Sequence, residues 1–201
     1  MARTQAADFA ERRAAIVEQA ARLFAERGFL GASIADLAEA CDSSKSLIYH
    51  YYASKEDILF DVMHSHVKAL LDAGEEIAAR AAPPAARLRA LTAAFMRLYI
   101  GAAARHRVLL NELQRLPETQ RAIVVGIQRR LIDIVQAIIV EIRPDLSGRS
   151  HLQRPAALLY FGMLNWTHTW LDPNGAATPE TIAELAVGLF LDGIKTAAIA
   201  E

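Results

Sequence analysis

The chain has 201 residues, 53% hydrophobic and 22% charged, enough to bury a sizeable core in one or two domains. A formal net charge of −1 rules out a polybasic molecule, so any anionic partner has to be met by local placement of charge. A single cysteine, Cys41, excludes an intramolecular disulfide. No apolar h-region opens the chain and no run reaches the ~18 apolar residues of a membrane span, so the expectation is a cytoplasmic protein with no membrane partner.

Helical periodicity runs along the whole chain, and no stretch sustains the alternation of a strand. Over 9–27, Ile16, Ala20, Leu23 and Phe24 fall at i, i+4, i+7 and i+8, one apolar stripe. Gly28 in "RGFLGAS" sits where a left-handed cap ends that helix. Ser33 then caps a short helix, and Asp36 three residues later completes the capping signature. "CDSS" at 41–44 is a turn, with Ser43 or Ser44 capping a helix that turns Leu47, Ile48 and Tyr51 inward. Ser54 caps a fourth helix over 54–80, with Glu56 and Asp57 at its positive end. Further helices are predicted at 84–103, 105–115, 118–142, 150–171 and 179–199, separated by "RLPET", "RPDLSGRS" and "LDPNGAATPE". The expected fold is all-α with about nine helices: a three-helix helix-turn-helix head over 1–57, then a larger bundle over 58–201.

Two short helices joined by a tight turn, "IADLAEA-CDSS-KSLIYHYY", have the proportions of a helix-turn-helix, whose second helix enters the DNA major groove. The second helix suits that task. Residues 43–55 hold Lys45 and Lys55 and no carboxylate, while hydroxyls and phenols supply donors for phosphate and base edges. The head as a whole is not basic, since 1–57 contains 7 Lys+Arg against 9 Asp+Glu, a net of −2. The signal lies in placement, not in sum.

"LFAERGFLGASIADLAEACDSSKSLIYHYYASKEDIL", residues 23–59, resembles the N-terminal pattern of the tetracycline-repressor (TetR) family of bacterial transcription regulators. The resemblance implies a homodimeric repressor with two such heads on a palindromic double-stranded operator, and a C-terminal domain that binds a small-molecule effector. It places Ser44, Lys45, Ser46 and Leu47 at the groove-facing start of the recognition helix. Tyr49 falls on a phosphate-contacting tyrosine, Lys55 on a backbone-contacting lysine and Ser33 on the hydroxyl that opens the preceding helix. For His50, phosphate contact and plain solvation both stay open, and Tyr51 and Tyr52 read as rings packed within the head. Where the family has Gly-Val, this chain has Asp42-Ser43; Asp42 is short and polar enough for a left-handed turn.

The body carries no phosphate loop, nucleophile elbow, zinc-protease or dinucleotide motif, so neither enzyme activity nor a cofactor is expected. His64 and His66, at i and i+2, point to different sides of a helix, and no metal site is expected. Residues 95–116 and 157–175 interleave aromatics with polar groups, as in ligand pockets between bundle helices. Phe95, Met96, Tyr99, Arg105, Tyr160, Met163 and His168 are the candidate ligand residues. Residues 162–185 are similar to TetR-type regulators of acyl-CoA or aromatic-acid degradation, which implies an acyl- or aryl-CoA effector whose phosphates meet Arg97, Arg105, Arg107 or Arg115. The apolar faces of the last two helices point to a dimer interface of Leu158, Phe161, Trp166, Leu185, Leu189, Phe190 and Ile194. Two alternatives stand beside this reading: a helical-bundle enzyme using His106 or His168, and a DNA-binding protein without an effector.

Overall fold

The first helix, α1 (Ala2–Gly31), begins the chain in the computed structural model, which describes residues 2–172 and 175–196, with side chains from residue 9 onward. It is followed by α2 (Ile34–Ala40), α3 (Lys45–Tyr51), α4 (Lys55–Ala78), α5 (Pro84–Gly101), α6 (Ala103–Asn111), α7 (Glu118–Ile142), α8 (Ser150–Trp166) and α9 (Pro179–Thr196). Among the described residues there are nine α-helices and no strand. None of these helices is long and apolar enough to cross a membrane.

The chain forms two compact units, Met1–Val67 with Ala104–Val125, and Lys68–Ala103 with Gly126–Glu201. The first unit holds α1, α2, α3, α4 as far as Val67, α6 and the start of α7. In the first unit the α1 stripe is buried as its spacing requires: Ile16, Ala20, Leu23 and Phe24 pack inward with Leu37, Ile48 and Leu59. Within α3, Ile48 is buried, while Leu47 and Tyr51 are half-exposed and Tyr52, the residue capping the helix, takes the inward place given to Tyr51.

Tyr52 is tied down by polar partners as well as by burial. Its hydroxyl donates to Asp61 Oδ2 at 2.6 Å and accepts from Arg13 Nε at 3.2 Å, and Arg13 also pairs with Asp61 at 3.0 Å. Burial, and then the Asp61 hydrogen bond, push the phenol well above its ordinary pKa. It stays neutral and donates, which links the end of α3 to α1 and α4.

Gly28 does not end α1. It interrupts the helix with φ 72° and ψ 160°, and one more helical turn follows to Gly31. That conformation is essentially reserved for glycine. A Cβ there would also lie 3.3 Å from Glu112 Oε1, which accepts the Phe29 N–H at 3.2 Å.

In the second unit, α5, α7, α8 and α9 enclose an apolar core that includes Leu88, Phe95, Val135, Tyr160 and Leu191. Pro84 opens α5 at a first-turn position, where the missing N–H costs nothing. The helix expected over 150–171 stops at Trp166 and continues as a 3-10 turn, Thr167–Thr169. Thr167 Oγ1 bonds Leu164 O at 2.6 Å, Thr169 Oγ1 bonds Trp166 O at 2.8 Å, and His168 Nδ1 engages Asn165 O at 2.6 Å. Three consecutive side chains thus compete for the carbonyls that would extend the helix. Likewise the helix expected over 105–115 is α6 to Asn111 plus a 3-10 turn, Leu113–Arg115. The expected extension of the last helix to 199 lies outside the described residues.

Replacing Gly28 by alanine should destabilise the first unit by about 1–3 kcal/mol. Urea unfolding followed by circular dichroism checks this, with wild-type stability as the contrary result.

Candidate nucleic-acid interface and effector site

The helix-turn-helix is built from local hydrogen bonds. Ser33 Oγ accepts the Asp36 N–H at 3.1 Å, and Asp36 Oδ2 accepts both the Ser33 N–H at 2.8 Å and the Ser33 hydroxyl at 2.6 Å. These bonds, joined by Arg27 at 3.2 Å, hold the Asp36 carboxyl below its usual range. The Ser33 proton is therefore already committed at the start of α2. The turn closes through backbone bonds Asp42 N to Glu39 O at 3.0 Å and Ser43 N to Ala38 O at 2.8 Å. Asp42 takes a left-handed φ of 46°. Ser44, not Ser43, caps α3, its Oγ accepting the Leu47 N–H at 3.2 Å.

Lys45, Ser46, Tyr49 and His50 are exposed on α3, and Leu47 is half-exposed beside them. Tyr49, 54% exposed with a polar hydroxyl, is available to a partner; its neighbours Ile48 and Tyr52 are buried. His50 stands edge-on to Phe9 at 6.3 Å and to Tyr51 at 5.2 Å. Lys55 is placed differently from a free phosphate-seeking lysine. Its Nζ donates to Phe29 O and Ala32 O, both at 2.8 Å, and lies 4.2 Å from the centre of the Phe29 ring. Two of its three donors serve the carbonyl end of α1.

In the second unit, four candidate ligand residues come together. Phe95, Met96, Tyr99 and Tyr160 are buried in one core; Phe95 is stacked on Tyr99 at 6.4 Å and on Phe161 at 6.0 Å. Tyr160 OH and Thr92 Oγ1 share a buried hydrogen bond at 2.8 Å, and Thr92 Oγ1 donates to Leu88 O. Burial raises the pKa of both Tyr99 and Tyr160, so both phenols stay neutral.

The remaining ligand candidates are not part of this buried cluster. Arg105 belongs to the first unit, where it pairs with Glu18 at 3.1 Å. Met163 faces outward, because Ala157, Tyr160, Phe161 and Leu164 take the inward positions of α8. His168 sits in the 3-10 turn after α8.

Outward on α8 and α9 lies an open apolar groove of about 790 Å³. Leu158, Leu159, Met163, Trp166, Leu185 and Leu189 line it. Leu159, Trp166 and Leu189 are 70%, 65% and 62% exposed, which puts them on an outer face. Phe161 and Phe190, expected at that face, are instead core residues, and Ile194 packs half-buried against the same core. Both helices are apolar on two sides, so periodicity alone assigns these phenylalanines to the wrong one.

Residues 16–62 match the tetR family of bacterial regulatory proteins, and residues 81–194 match the tetracyclin repressor-like C-terminal domain. The chain belongs to the TetR family. A TetR-family transcriptional regulator from Bordetella parapertussis 12822 is 38% identical, with a TM-score of 0.87 over 94% of this chain and 98% of its own. AibR, solved in complex with isovaleryl coenzyme A and operator DNA, is 28% identical, with a TM-score of 0.76 over 89% and 97%. The transcriptional repressor KstR2 of Rhodococcus jostii (strain RHA1) is 24% identical over 187 residues, 92% of each chain. The protein is a TetR-type transcriptional regulator, and its α2–turn–α3 lies within the stretch that the family's N-terminal model matches.

In this TetR-family chain, several side chains that shape the first unit carry no signal in the sequence. Arg13, Asp61 and Glu112 are ordinary charged residues in helical runs, and only the fold brings them to Tyr52 and Phe29. His106 is buried against His66, with Nε2 of His66 3.1 Å from Nδ1 of His106. Among the described residues no cluster of three metal-binding side chains occurs. Burial, and then the nearby Arg105 charge, lower the His66 pKa to about 4.

The unfolded chain therefore binds a proton at His66 that the folded chain refuses between about pH 6.5 and 4. This contribution to stability is complete above pH 6.5 and is lost as pH falls toward 4, in total about 3 kcal/mol. Thermal melts from pH 7 to 4 should show a shallower decline for His66→Gln than for wild type. Parallel declines would contradict it.

Proposed function

We propose that the protein acts as a homodimer in the cytoplasm, represses transcription at a palindromic operator, and is released by a small hydrophobic effector of the acyl-CoA class. The observation that carries the DNA-binding half is the acid-free outer face of α3, where Lys45, Ser46, Tyr49 and His50 stand exposed after the Ser44 cap. Hydroxyl, ammonium and phenol donors on one short helix suit phosphate oxygens and base acceptors. The exposed groove on α8 and α9 supports the dimer, since monomeric proteins rarely leave a large apolar surface open and such surfaces mark interaction sites. Two heads then meet successive major-groove faces about 34–36 Å apart, or a multiple of that.

The effector class rests on AibR, which was solved with isovaleryl coenzyme A, and on the buried aromatic cluster of the second unit. The acyl group would lie among Phe95, Met96, Tyr99 and Tyr160, with Arg97, exposed on α5, as a partner for phosphate. Arg105 is left out because Glu18 already holds it. The effector has to bind the form that lets go of DNA better than the form that holds it. A second reading, a repressor whose body takes no effector, is favoured by the close packing of Phe95, Met96 and Tyr160, each 0–1% exposed.

Three measurements test these readings on a duplex selected from a random pool by the wild-type protein. Lys45→Ala and Tyr49→Phe should weaken its binding by about 1–3 kcal/mol in fluorescence anisotropy, with the dimer intact; unchanged affinity in both refutes the α3 interface. Leu189→Asp should give monomers in sedimentation velocity, since a buried unpaired charge costs several kcal/mol; a persistent dimer moves the interface elsewhere. Micromolar acyl- or aryl-CoA should displace the DNA while the free acids do not. Lack of displacement across that panel would favour the second reading.

A further inference from the structure

The helical turn between Gly28 and Ser33 is the piece of backbone from which α2 is hung. It follows the break at Gly28 and leads within two residues into the Ser33 cap of α2. Such a turn has orphan groups at both ends, a leading N–H and trailing carbonyls, that its own few residues do not satisfy. Here two distant carriers of opposite charge supply the partners. Glu112, after α6, accepts the Phe29 N–H at 3.2 Å, 83 residues away in sequence. Lys55, at the start of α4, donates to Phe29 O and Ala32 O at 2.8 Å each. The carboxylate thus sits at the turn's positive end and the ammonium at its negative end, each on the side its charge favours.

Both groups are enclosed enough for this to matter. Phe29 and Ala32 are buried, Glu112 is 18% exposed at its side chain, and Arg115 adds a longer ion pair to it at 3.7 Å. Gly28 leaves room for the carboxylate, since a side chain there would press on Glu112 Oε1. None of these interactions involves the exposed face of α3.

We infer that Lys55 and Glu112 are positioning residues for operator binding: together they clamp the Phe29–Ala32 turn and so fix α2, and through it the recognition helix, without either touching DNA. The inference depends on the DNA-binding role of the head and not on the effector reading. It departs from the role that family resemblance gives Lys55, a contact to the DNA backbone. The two roles differ in one measurable respect. A lysine that neutralises a phosphate contributes about 0.9 to the slope of log affinity against log salt, and a positioning residue contributes nothing to it.

The test uses the full chain and the selected duplex, with binding measured from low to moderate salt. Lys55→Ala and Glu112→Ala should each weaken binding about ten- to a hundred-fold, the range expected for removal of a charge-assisted hydrogen bond, with the salt slope of wild type. Glu112→Gln keeps a carbonyl acceptor for the Phe29 N–H and should restore most of the affinity. Hydrogen exchange at the Phe29 amide should be fast in Glu112→Ala and protected in Glu112→Gln. A slope that is shallower in Lys55→Ala by about 0.9 per bound head overturns the assignment of Lys55. Wild-type affinity in a Glu112→Ala protein whose Phe29 amide has lost protection overturns the clamp. If Glu112→Ala does not fold, Glu112→Asp replaces it: its shorter side chain should expose the Phe29 amide and weaken binding, and full affinity with that amide exposed has the same overturning force.

Discussion

Everything the first unit does depends on finishing one helix and starting the next within a few residues. Each helix end leaves backbone groups without partners, and α1, α2, α3 and α4 meet end to end within the span from Gly28 to Lys55. A short helix cannot meet this demand by its own packing, because seven residues bury little and nucleate poorly. The chain answers with a hydroxyl at each start: Ser33, Ser44 and Ser54 each accept an N–H three residues on. The carbonyl end of α1 is met by Lys55. Caps and the Tyr52 network thus act beside the buried Leu37, Ala38 and Ile48 in holding α2 and α3.

Those caps are also the part of the fold that is legible in sequence. Ser33 with Asp36, Ser54 with Asp57 and the Ser44 cap are interactions across three residues, so their spacing is visible in the string itself. The left-handed Asp42 is legible for the same reason, being the short polar residue of a four-residue turn. Gly28 is recognisable as a special position, yet its conformation is not the cap that its place suggests. Which positive-φ region a glycine adopts depends on what packs beside it, and here that is Glu112, 84 residues on. Lys55, Arg13 and Asp61 are opaque likewise: charge alone says that a partner exists and not whether it is a phosphate, a carbonyl or a phenol. Three of the eight expected DNA-facing residues, Ser33, Ser44 and Lys55, have clear structural employment. A cap uses the hydroxyl oxygen as acceptor and a phosphate contact uses its proton, so sequence spacing alone does not say whether a serine does one or both.

The last two helices show a different limit. In α8 nearly every position from Ala156 to Trp166 is apolar or small, so a hydrophobic stripe of the usual width is not defined. Burial separates the two sides where pattern does not. Tyr160 and Phe161 join the core, while Leu158, Leu159, Met163 and Trp166 remain on the outer groove. Such two-sidedness carries information at a coarser level. A helix with one apolar side is satisfied by its own unit, and a helix with two asks for a second partner. The two-sidedness is legible; the division of labour between neighbouring residues is not.

Charge then makes the proposed dimer more than a convenience. The first 57 residues sum to −2, so the head gains little from the sequence-independent attraction that brings strongly basic proteins to DNA. Its two lysines between 43 and 55 reduce further once Lys55 is engaged with α1, leaving Lys45 as the cation on the exposed face of α3. Joining two heads makes the second contact intramolecular, which raises affinity without new chemistry and only if their spacing fits the DNA. In the proposed dimer, spacing then becomes the controlling variable. A strongly basic head would stay bound through small changes in geometry, whereas the proposed α3 interface, with hydroxyls, a phenol and a single lysine, would be sensitive to them. An effector acting on such a protein has only to disturb geometry, and need supply no more than its own preference for the disturbed state.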